Sequence, residues 1–355
     1  MPKTNLLPDL IFRGFNRRRN ARKLIVHASN GIVESRFVPI GGMDQWITMR
    51  GEDRDHPALL FIHGGPASPY SIFSPLLRSW EKHFTIVHWD QRGAGKTFRK
   101  NGRFGSGTIT FDRLARDGIE VAQYVCSRLG HEKVILIGSS AGSLIATMMA
   151  KRCPHLFHAY VGTDQNASDP QFDSYRLSLD FLRASGNAKG VQLVERMGPD
   201  PAKWSRKDFE EKNRHIVRSK NHTVPNMIMD LMLPSMLSSP DHKYRDLLDI
   251  FKGMSFSLDH LFNELMTYHI RDLGMRFELP FFVFQGDADL FTPTVAAKAY
   301  FDEIEAPRKE FVLIKNAGHL ACFARPDQFL EELIERVRPL AFSSEKRNRD
   351  AFMVQ

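Results

Sequence analysis

Residues 134–142, VILIGSSAG, constrain the fold more than any other stretch of the chain. Four apolar residues predict a buried strand, and residues 143–151 have the pattern of a helix that follows at once. Glycine lies two positions before and two positions after Ser140, where a sharp strand-to-helix turn leaves little room for side chains. This is the G-x-S-x-G pattern of a nucleophile elbow, which exposes its serine at the carboxyl end of the strand. A turn of small residues without a chemical role is the alternative.

Strand and helix patterns alternate on both sides of this turn. Two predicted strands flank Gly41-Gly42, which indicates an antiparallel hairpin. The other strands are short apolar runs separated by spacings that suit right-handed crossovers, so we expect an α/β fold with a mostly parallel sheet. The predicted strands are residues 33–40, 45–50, 59–63, 84–89, 134–137, 158–163, 280–285 and 310–314, and the predicted helices are 111–129, 143–151, 294–304 and 326–337.

The alternation stops between residues 165 and 275. This block is charged, has helical spacing and holds eight of the fourteen methionines of the chain. We interpret it as a helical cap inserted into a core of residues 31–164 and 276–340, with a basic arm at 1–30 and a polar tail at 341–355. The methionines either line an adaptable apolar pocket or form the core of the cap itself.

Composition excludes several classes of protein. No uncharged apolar run reaches the length of about 18 residues that a membrane span needs, and no secretory signal is recognisable. The three cysteines are widely spaced and form no CxxC pair, which predicts a reduced, cytoplasmic protein.

The net charge of +8 is concentrated near the N-terminus. Residues 1–36 contain eight lysines and arginines and two acidic residues, a balance of +6 that leaves +2 for the remainder. We therefore expect no nucleic-acid partner. The arm is interpreted as a loosely attached, solvated leader, and contact with an acidic partner or an anionic membrane surface is the alternative.

A serine hydroxyl is a weak nucleophile, so Ser140 needs a base that a third group holds in place. His319 follows the last predicted strand and precedes the last helix. Asp289 follows the preceding strand, and Asp287 is the second choice for the acid, with a loop-capping role as its alternative. The order Ser140, Asp289, His319 is that of the α/β-hydrolase triad.

Acyl transfer also needs hydrogen-bond donors aimed at the oxyanion, each worth roughly 3 to 4 kcal/mol. The backbone N–H of Ala141, next to the serine, is one candidate. The second is expected from the glycine pair after the third strand, with the Gly65 N–H preferred and Gly64 less favoured. We predict that His63, which precedes the pair, is structural.

Two competing motifs fail on inspection. Gly93 to Thr97 resembles half of a phosphate-binding loop, but Asp90 stands where that motif requires glycine. Asp90 and Arg92 are instead expected to fix the turn, with an ion pair between them. Histidines, cysteines and acidic residues also lack the spacing of metal ligands, so no metal is expected.

These motifs together resemble the proline iminopeptidase branch of the α/β-hydrolases. The resemblance covers residues 55–163 and 278–338 and rests on HGGP, on WDQRGAGK, on the Ser140 elbow and on the segments around Asp289 and His319. It implies an eight-stranded sheet, a helical cap and hydrolysis without a cofactor or metal.

This chain departs from that branch at several positions. Ala67 replaces a glycine after HGGP, Ala141 stands where an aromatic residue is usual, and the WxxWE motif of the cap is absent. The branch holds the free amino terminus of its substrate with cap glutamates. Glu264 is the remaining candidate for that role, and a solvated helical position is its alternative.

The sequence thus predicts a serine hydrolase that cleaves an ester or amide bond through an acyl-enzyme. The first choice is an aminopeptidase or amidase similar to proline iminopeptidases, acting on a small molecule or short peptide. A carboxylesterase or lipase-like esterase is the alternative, and a ligand-binding homologue without turnover is a third hypothesis.

Overall fold

The computed structural model describes residues 10–220 and 223–342. Within them, eight strands form one sheet: β1 (Ile32–Ile40), β2 (Met43–Gly51), β3 (Ala58–Ile62), β4 (Thr85–Asp90), β5 (Val134–Ser140), β6 (Phe157–Gln165), β7 (Phe281–Gly286) and β8 (Lys309–Ile314). Their order is β1-β2-β4-β3-β5-β6-β7-β8. β2 is antiparallel to β1 and β4, and all other neighbours are parallel. The expected mostly parallel sheet of eight strands is confirmed.

One helix precedes β1, others lie between the strands and in the block after β6, and the last two follow β8. They are α1 (Arg13–Lys23), α2 (Gly95–Gly105), α3 (Phe111–Leu129), α4 (Ala141–Arg152), α5 (Asp173–Ala184), α6 (Ala188–Met197), α7 (Arg206–Arg218), α8 (Leu233–Ser238), α9 (Tyr244–Thr267), α10 (Thr294–Glu303), α11 (Ala321–Ala324) and α12 (Pro326–Glu332). A π-helical turn, Met227–Met232, precedes α8, and another, Leu333–Val337, continues α12. None of the helices in the described ranges is long and apolar enough to cross a membrane.

Local sequence explains where several elements begin and end. The turn between β1 and β2 consists of Gly41 and Gly42, whose φ angles of 57° and 80° lie in the left-handed region that favours glycine. Helix α3 begins after Thr110, whose hydroxyl accepts a hydrogen bond from the Arg113 N–H at 3.1 Å. It ends at Gly130, which has a φ of 76°.

The core occupies both faces of the sheet. Leu60 and Leu136 point into one hydrophobic cluster, whereas their neighbours Leu59 and Ile137 belong to the cluster on the opposite face. Because both faces are covered, the central strands are continuous apolar runs without polar alternation. Because β3, β5, β6, β7 and β8 run parallel, their carboxyl ends meet at one edge of the sheet, where loops can carry polar side chains.

The expectation of a loosely attached arm is wrong for its helical part. α1 packs beside the end of α8, where Arg13 donates to the His242 carbonyl at 3.0 Å. Arg17 donates to the Ser239 and Pro240 carbonyls at 3.0 and 2.7 Å. Basic side chains thus bind carbonyl groups near the C-terminal end of a helix, which attracts positive charge.

The ion pair expected between Asp90 and Arg92 does not form. The Asp90 carboxylate accepts the Lys96 backbone N–H at 2.8 Å. Arg92 pairs instead with Asp117 of α3 at 2.9 Å and donates to the Gly41 carbonyl at 2.9 Å. Both residues fix the turn after β4, but Arg92 does so by joining it to a helix 25 residues further along the chain.

Candidate active site

The strand-to-helix turn at Ser140 has the strained geometry of an elbow. Ser140 has a φ of 54° and a ψ of −129°, a conformation that costs roughly 1 to 3 kcal/mol. A side chain at Gly138 would lie 2.7 Å from the Ala146 Cβ, and one at Gly142 would overlap the Ile62 carbonyl oxygen. The two glycines are therefore required so that β5 and α4 can pack closely against each other and against β3.

The structure brings the three predicted residues into one hydrogen-bonded chain. His319 Nε2 lies 3.0 Å from Ser140 Oγ, and His319 Nδ1 lies 2.8 Å from Asp289 Oδ2. The Asp289 carboxylate is completely buried, and the His319 ring is 9% exposed. A carboxylate on one ring nitrogen and a hydroxyl on the other is the arrangement that lets a histidine remove a serine proton.

Asp289 is held by donors other than the histidine. Its Oδ1 accepts the Phe291 and Thr292 backbone N–H groups at 2.8 and 3.0 Å, and its Oδ2 accepts the Thr292 hydroxyl at 2.8 Å. Asp287, the second choice for the acid, accepts the backbone N–H groups of Asn316 and Ala317 at 3.0 and 3.1 Å. It therefore caps the loop that carries His319 and does not contact the ring.

The charges around His319 favour its protonated form. Burial opposes protonation, but the Asp289 carboxylate on Nδ1 and the nearby Asp164 together raise the pKa of His319 above its ordinary value. The fully buried His63 shows the opposite effect, because burial lowers its pKa to about 4 and keeps the ring neutral.

The glycine pair after β3 lies beside the elbow. Gly65 and Ala141 line the same cavity as Ser140, and Ala141 is the first residue of α4, where a backbone N–H has no acceptor within the helix. The Gly64 N–H points to the Tyr70 hydroxyl at 3.4 Å. His63 accepts the Gln91 N–H at 3.3 Å, which links this loop to the turn after β4 and fits the structural role predicted for it.

Ala67 adopts a conformation that glycine would adopt more readily. Its φ is 60°, and its side chain is almost completely buried. The departure from HGGPG noted in the sequence therefore costs strain of roughly 1 to 2 kcal/mol in the loop.

A second buried carboxylate, which the sequence analysis missed, lies behind the triad. Asp164 lies at the carboxyl end of β6, accepts the Ser139 hydroxyl at 2.8 Å and accepts the Ala321 N–H at 3.1 Å. The Ser139 hydroxyl also contacts the Tyr70 hydroxyl at 2.7 Å. The sequence did contain a sign of this carboxylate. Asp164 directly follows the predicted strand 158–163, and polar residues at such positions fall at the same edge of the sheet as Ser140.

Asp164, Asp289 and His319 are close enough to be considered as metal ligands, with ligand atoms within 4.8 Å of one another. Both ring nitrogens of His319 are engaged, however, by Ser140 and by Asp289. The oxygens of Asp289 and Asp164 also accept hydrogen bonds. The three residues therefore fit a hydrogen-bonded relay better than a metal site.

A cavity of about 550 Å³ lies over Ser140, between the sheet edge and the helical block at 165–275. Met227, Met232, Met254 and Met266 line it, whereas Met236 is only 2% exposed and packs in the core. Both alternatives for the methionines are therefore realised.

The expectation that Glu264 binds substrate is corrected by its contacts. Its carboxylate accepts the Phe111 backbone N–H at 3.0 Å, at the first turn of α3. Glu264 does not line the cavity, although the next residue, Leu265, does. The N-terminal end of a helix attracts a carboxylate, which explains the position.

Comparisons with known proteins extend beyond the motifs. A family model described as "alpha/beta hydrolase fold" matches residues 57–326. A Bacillus subtilis (strain 168) protein named "Probable aminopeptidase YbaC" is 28% identical over 303 residues, which cover 84% of this chain and 94% of that protein. A proline iminopeptidase of Lactobacillus delbrueckii subsp. lactis is 22% identical over 304 residues, 85% of this chain and 97% of that one.

Solved structures show the same fold. The proline iminopeptidase of Mycobacterium smegmatis superposes with a TM-score of 0.60 at 17% identity and covers 88% of this chain and 100% of that chain. A structure described as a bacterial membrane phospholipase A has a TM-score of 0.61 at 16% identity, with 94% and 92% of the chains covered.

Proposed function

The chain belongs to the α/β-hydrolase fold family, and we propose that it is a serine hydrolase with Ser140 as nucleophile, His319 as base and Asp289 as the orienting acid. The observation that carries the proposal is the hydrogen-bonded chain through His319, at 2.8 Å to Asp289 and 3.0 Å to Ser140. Chance would rarely place these three groups in this order and geometry on a strained elbow.

The proposed reaction has two steps. Ser140 Oγ attacks an ester or amide carbonyl while His319 Nε2 takes its proton, and the Gly65 and Ala141 N–H groups stabilise the oxyanion. Protonated His319 then gives the proton to the leaving alcohol or amine. Water, activated by His319, hydrolyses the acyl-Ser140 ester and releases the acid.

For the substrate, we propose an amide or short peptide cleaved by an aminopeptidase similar to proline iminopeptidases. Two relatives that align over more than four fifths of this chain carry aminopeptidase or iminopeptidase names. Esterase activity is the second candidate, because Glu264 lies outside the cavity and the cavity wall is rich in methionine. The three cysteines are unpaired, which supports a reducing compartment such as the cytoplasm.

A fluorophosphonate probe tests the nucleophile. Wild-type protein should be labelled, and Ser140→Ala should not, while Ser255→Ala, at an exposed position on α9, should be labelled at the wild-type rate. Folded wild-type protein that fails to react would contradict the proposal and favour a ligand-binding homologue.

Matched substrates test the bond that is cleaved. Prolyl- and alanyl-naphthylamides should be hydrolysed if the protein is an aminopeptidase, whereas cleavage of 4-nitrophenyl acyl esters alone would establish the esterase alternative. Both outcomes retain Ser140 as nucleophile, so this comparison is independent of the labelling result.

A further inference from the structure

One wall of the cavity holds a buried ammonium group without a counter-ion. Lys212 of α7 lines the cavity, and the residue is only 4% exposed. Its Nζ lies 4.6 Å from the centroid of the Trp204 ring, and it has no hydrogen bond or ion pair within residues 10–220 and 223–342. Because a buried cation is costly unless it is paired, such a group in a ligand cavity favours an anionic ligand.

The acidic residues of the cavity wall are engaged elsewhere. Asp169 accepts the backbone N–H groups of Asp173 and Ser174 at 2.8 and 2.7 Å. Asp200 accepts the Ala202 N–H at 3.1 Å. Burial lowers the pKa of Lys212 to about 8, and the charge of Asp169 opposes this effect only in part. The cavity therefore presents a cation whose charge no neighbouring carboxylate pairs directly.

Two more polar atoms of the same cavity have unused hydrogen-bonding capacity. Ser168 Oγ and Asn213 Oδ1 are buried, and neither has a hydrogen-bond partner within the described part of the chain. Ser168 precedes Asp169, whose charge acts on Lys212, and Asn213 follows Lys212 directly. The Ser168 hydroxyl can donate to an anion and so complements the ammonium, whereas Asn213 Oδ1 can only accept a hydrogen bond and is available to a donor group of the ligand.

We propose that Lys212, assisted by the Ser168 hydroxyl, binds a carboxylate of the substrate, so that the enzyme prefers esters or amides that carry a free carboxylate. The inference rests on the proposed function, since it places this carboxylate in the cavity that contains Ser140. The carboxylate could be the C-terminus of a short peptide or the free end of a dicarboxylic half-ester. The recognition chemistry is the same for both.

Two matched substrate pairs distinguish these sources. The peptide pair is prolyl-alanine and prolyl-alaninamide, and the acyl pair is mono-4-nitrophenyl adipate and 4-nitrophenyl hexanoate. A charge-assisted hydrogen bond is worth about 1.5 to 3 kcal/mol, so kcat/KM should be at least about tenfold higher for the charged member of one pair. The pair that shows the preference identifies the source of the carboxylate.

Variants of α7 assign the preference to one residue. Lys212→Met should reduce the charged-to-neutral ratio of kcat/KM to one or below. Lys207→Met, which removes an exposed lysine from the same helix, should keep the wild-type ratio. Should Lys212→Met fail to fold, adipate should slow fluorophosphonate labelling of the wild-type protein more than adipamide does.

The outcomes separate the inference from the proposed function. An active, labelled enzyme with no preference for either charged substrate, or a preference that Lys212→Met retains, would overturn the role of Lys212 alone. Absence of labelling at Ser140 would overturn the hydrolase proposal itself.

Discussion

Replacing Asp289 by asparagine tests the arrangement around His319, because neighbouring donors dictate how the new amide must lie. Oδ1 of Asp289 accepts the Phe291 and Thr292 backbone N–H groups at 2.8 and 3.0 Å. An asparagine keeps its carbonyl oxygen toward these two donors. Its NH₂ group then occupies the position of Oδ2, which lies 2.8 Å from His319 Nδ1.

The NH₂ group can only donate, so it forces His319 to carry its proton on Nε2. Nε2 faces Ser140 Oγ at 3.0 Å and can no longer accept the serine proton. We expect kcat to fall about 10⁴-fold, which corresponds to about 5.4 kcal/mol of transition-state stabilisation. Since the backbone hydrogen bonds of Asp289 remain, the free energy of unfolding should change little.

The measurement is kcat with the best available substrate, together with urea unfolding of each variant. Asp287→Asn is the control on the same loop: Oδ2 and Oδ1 of Asp287 accept the Asn316 and Ala317 backbone N–H groups, so asparagine gives up one of these bonds but removes no hydrogen bond to the His319 ring. It should lose less than about tenfold in kcat, since it has no contact with the ring. A loss below tenfold for Asp289→Asn, or equal losses for both variants, would refute the tautomer argument.

Three further predictions concern charge. Activity requires neutral His319, and the pKa of this residue is raised above the ordinary histidine value of 6.5. A plot of kcat/KM against pH should therefore fall on the acidic side with a midpoint above pH 6.5. A midpoint at or below pH 6.5 would contradict the electrostatic argument. Asp117→Asn leaves buried Arg92 without its ion pair and should lower the free energy of unfolding by about 3 to 5 kcal/mol in urea titrations. The expected loss for Asp112→Asn, at a partly exposed position, is less than about 1 kcal/mol. Burial raises the pKa of Asp90 to about 7, so this carboxyl destabilises the folded protein increasingly as pH rises from about 4 to 7. Asp90→Asn should therefore raise the free energy of unfolding at about pH 8 but not at about pH 4. Equal effects at both pH values would exclude this linkage.

The sequence was sufficient for those parts of the fold and site that depend on local pattern. The glycines around Ser140 follow from the geometry of one turn, and the parallel sheet brings strand ends to one edge. Asp289 and His319 could therefore be chosen by their position after the last two strands, without knowledge of their distance from Ser140.

Features that depend on distant contacts could not be predicted in the same way. Arg92 lies two residues from Asp90, but its partner Asp117 belongs to a helix whose packing the sequence does not reveal. Glu264 was placed by analogy and proves to bind the end of α3. Lys212 lies on the same helix face as the apolar Phe209 and Ile216. A lysine at a position where an apolar residue is expected was the one sign in the sequence that it is buried.

The docking of α1 has a consequence for how the chain folds. The carbonyl groups that Arg13, Arg17 and Asn20 bind lie 218 to 229 residues further along the chain. An isolated helix of 11 residues is only marginally stable in water, so α1 gains its stability from this contact. We therefore expect α1 to become ordered only after α8 and the residues that follow it have folded.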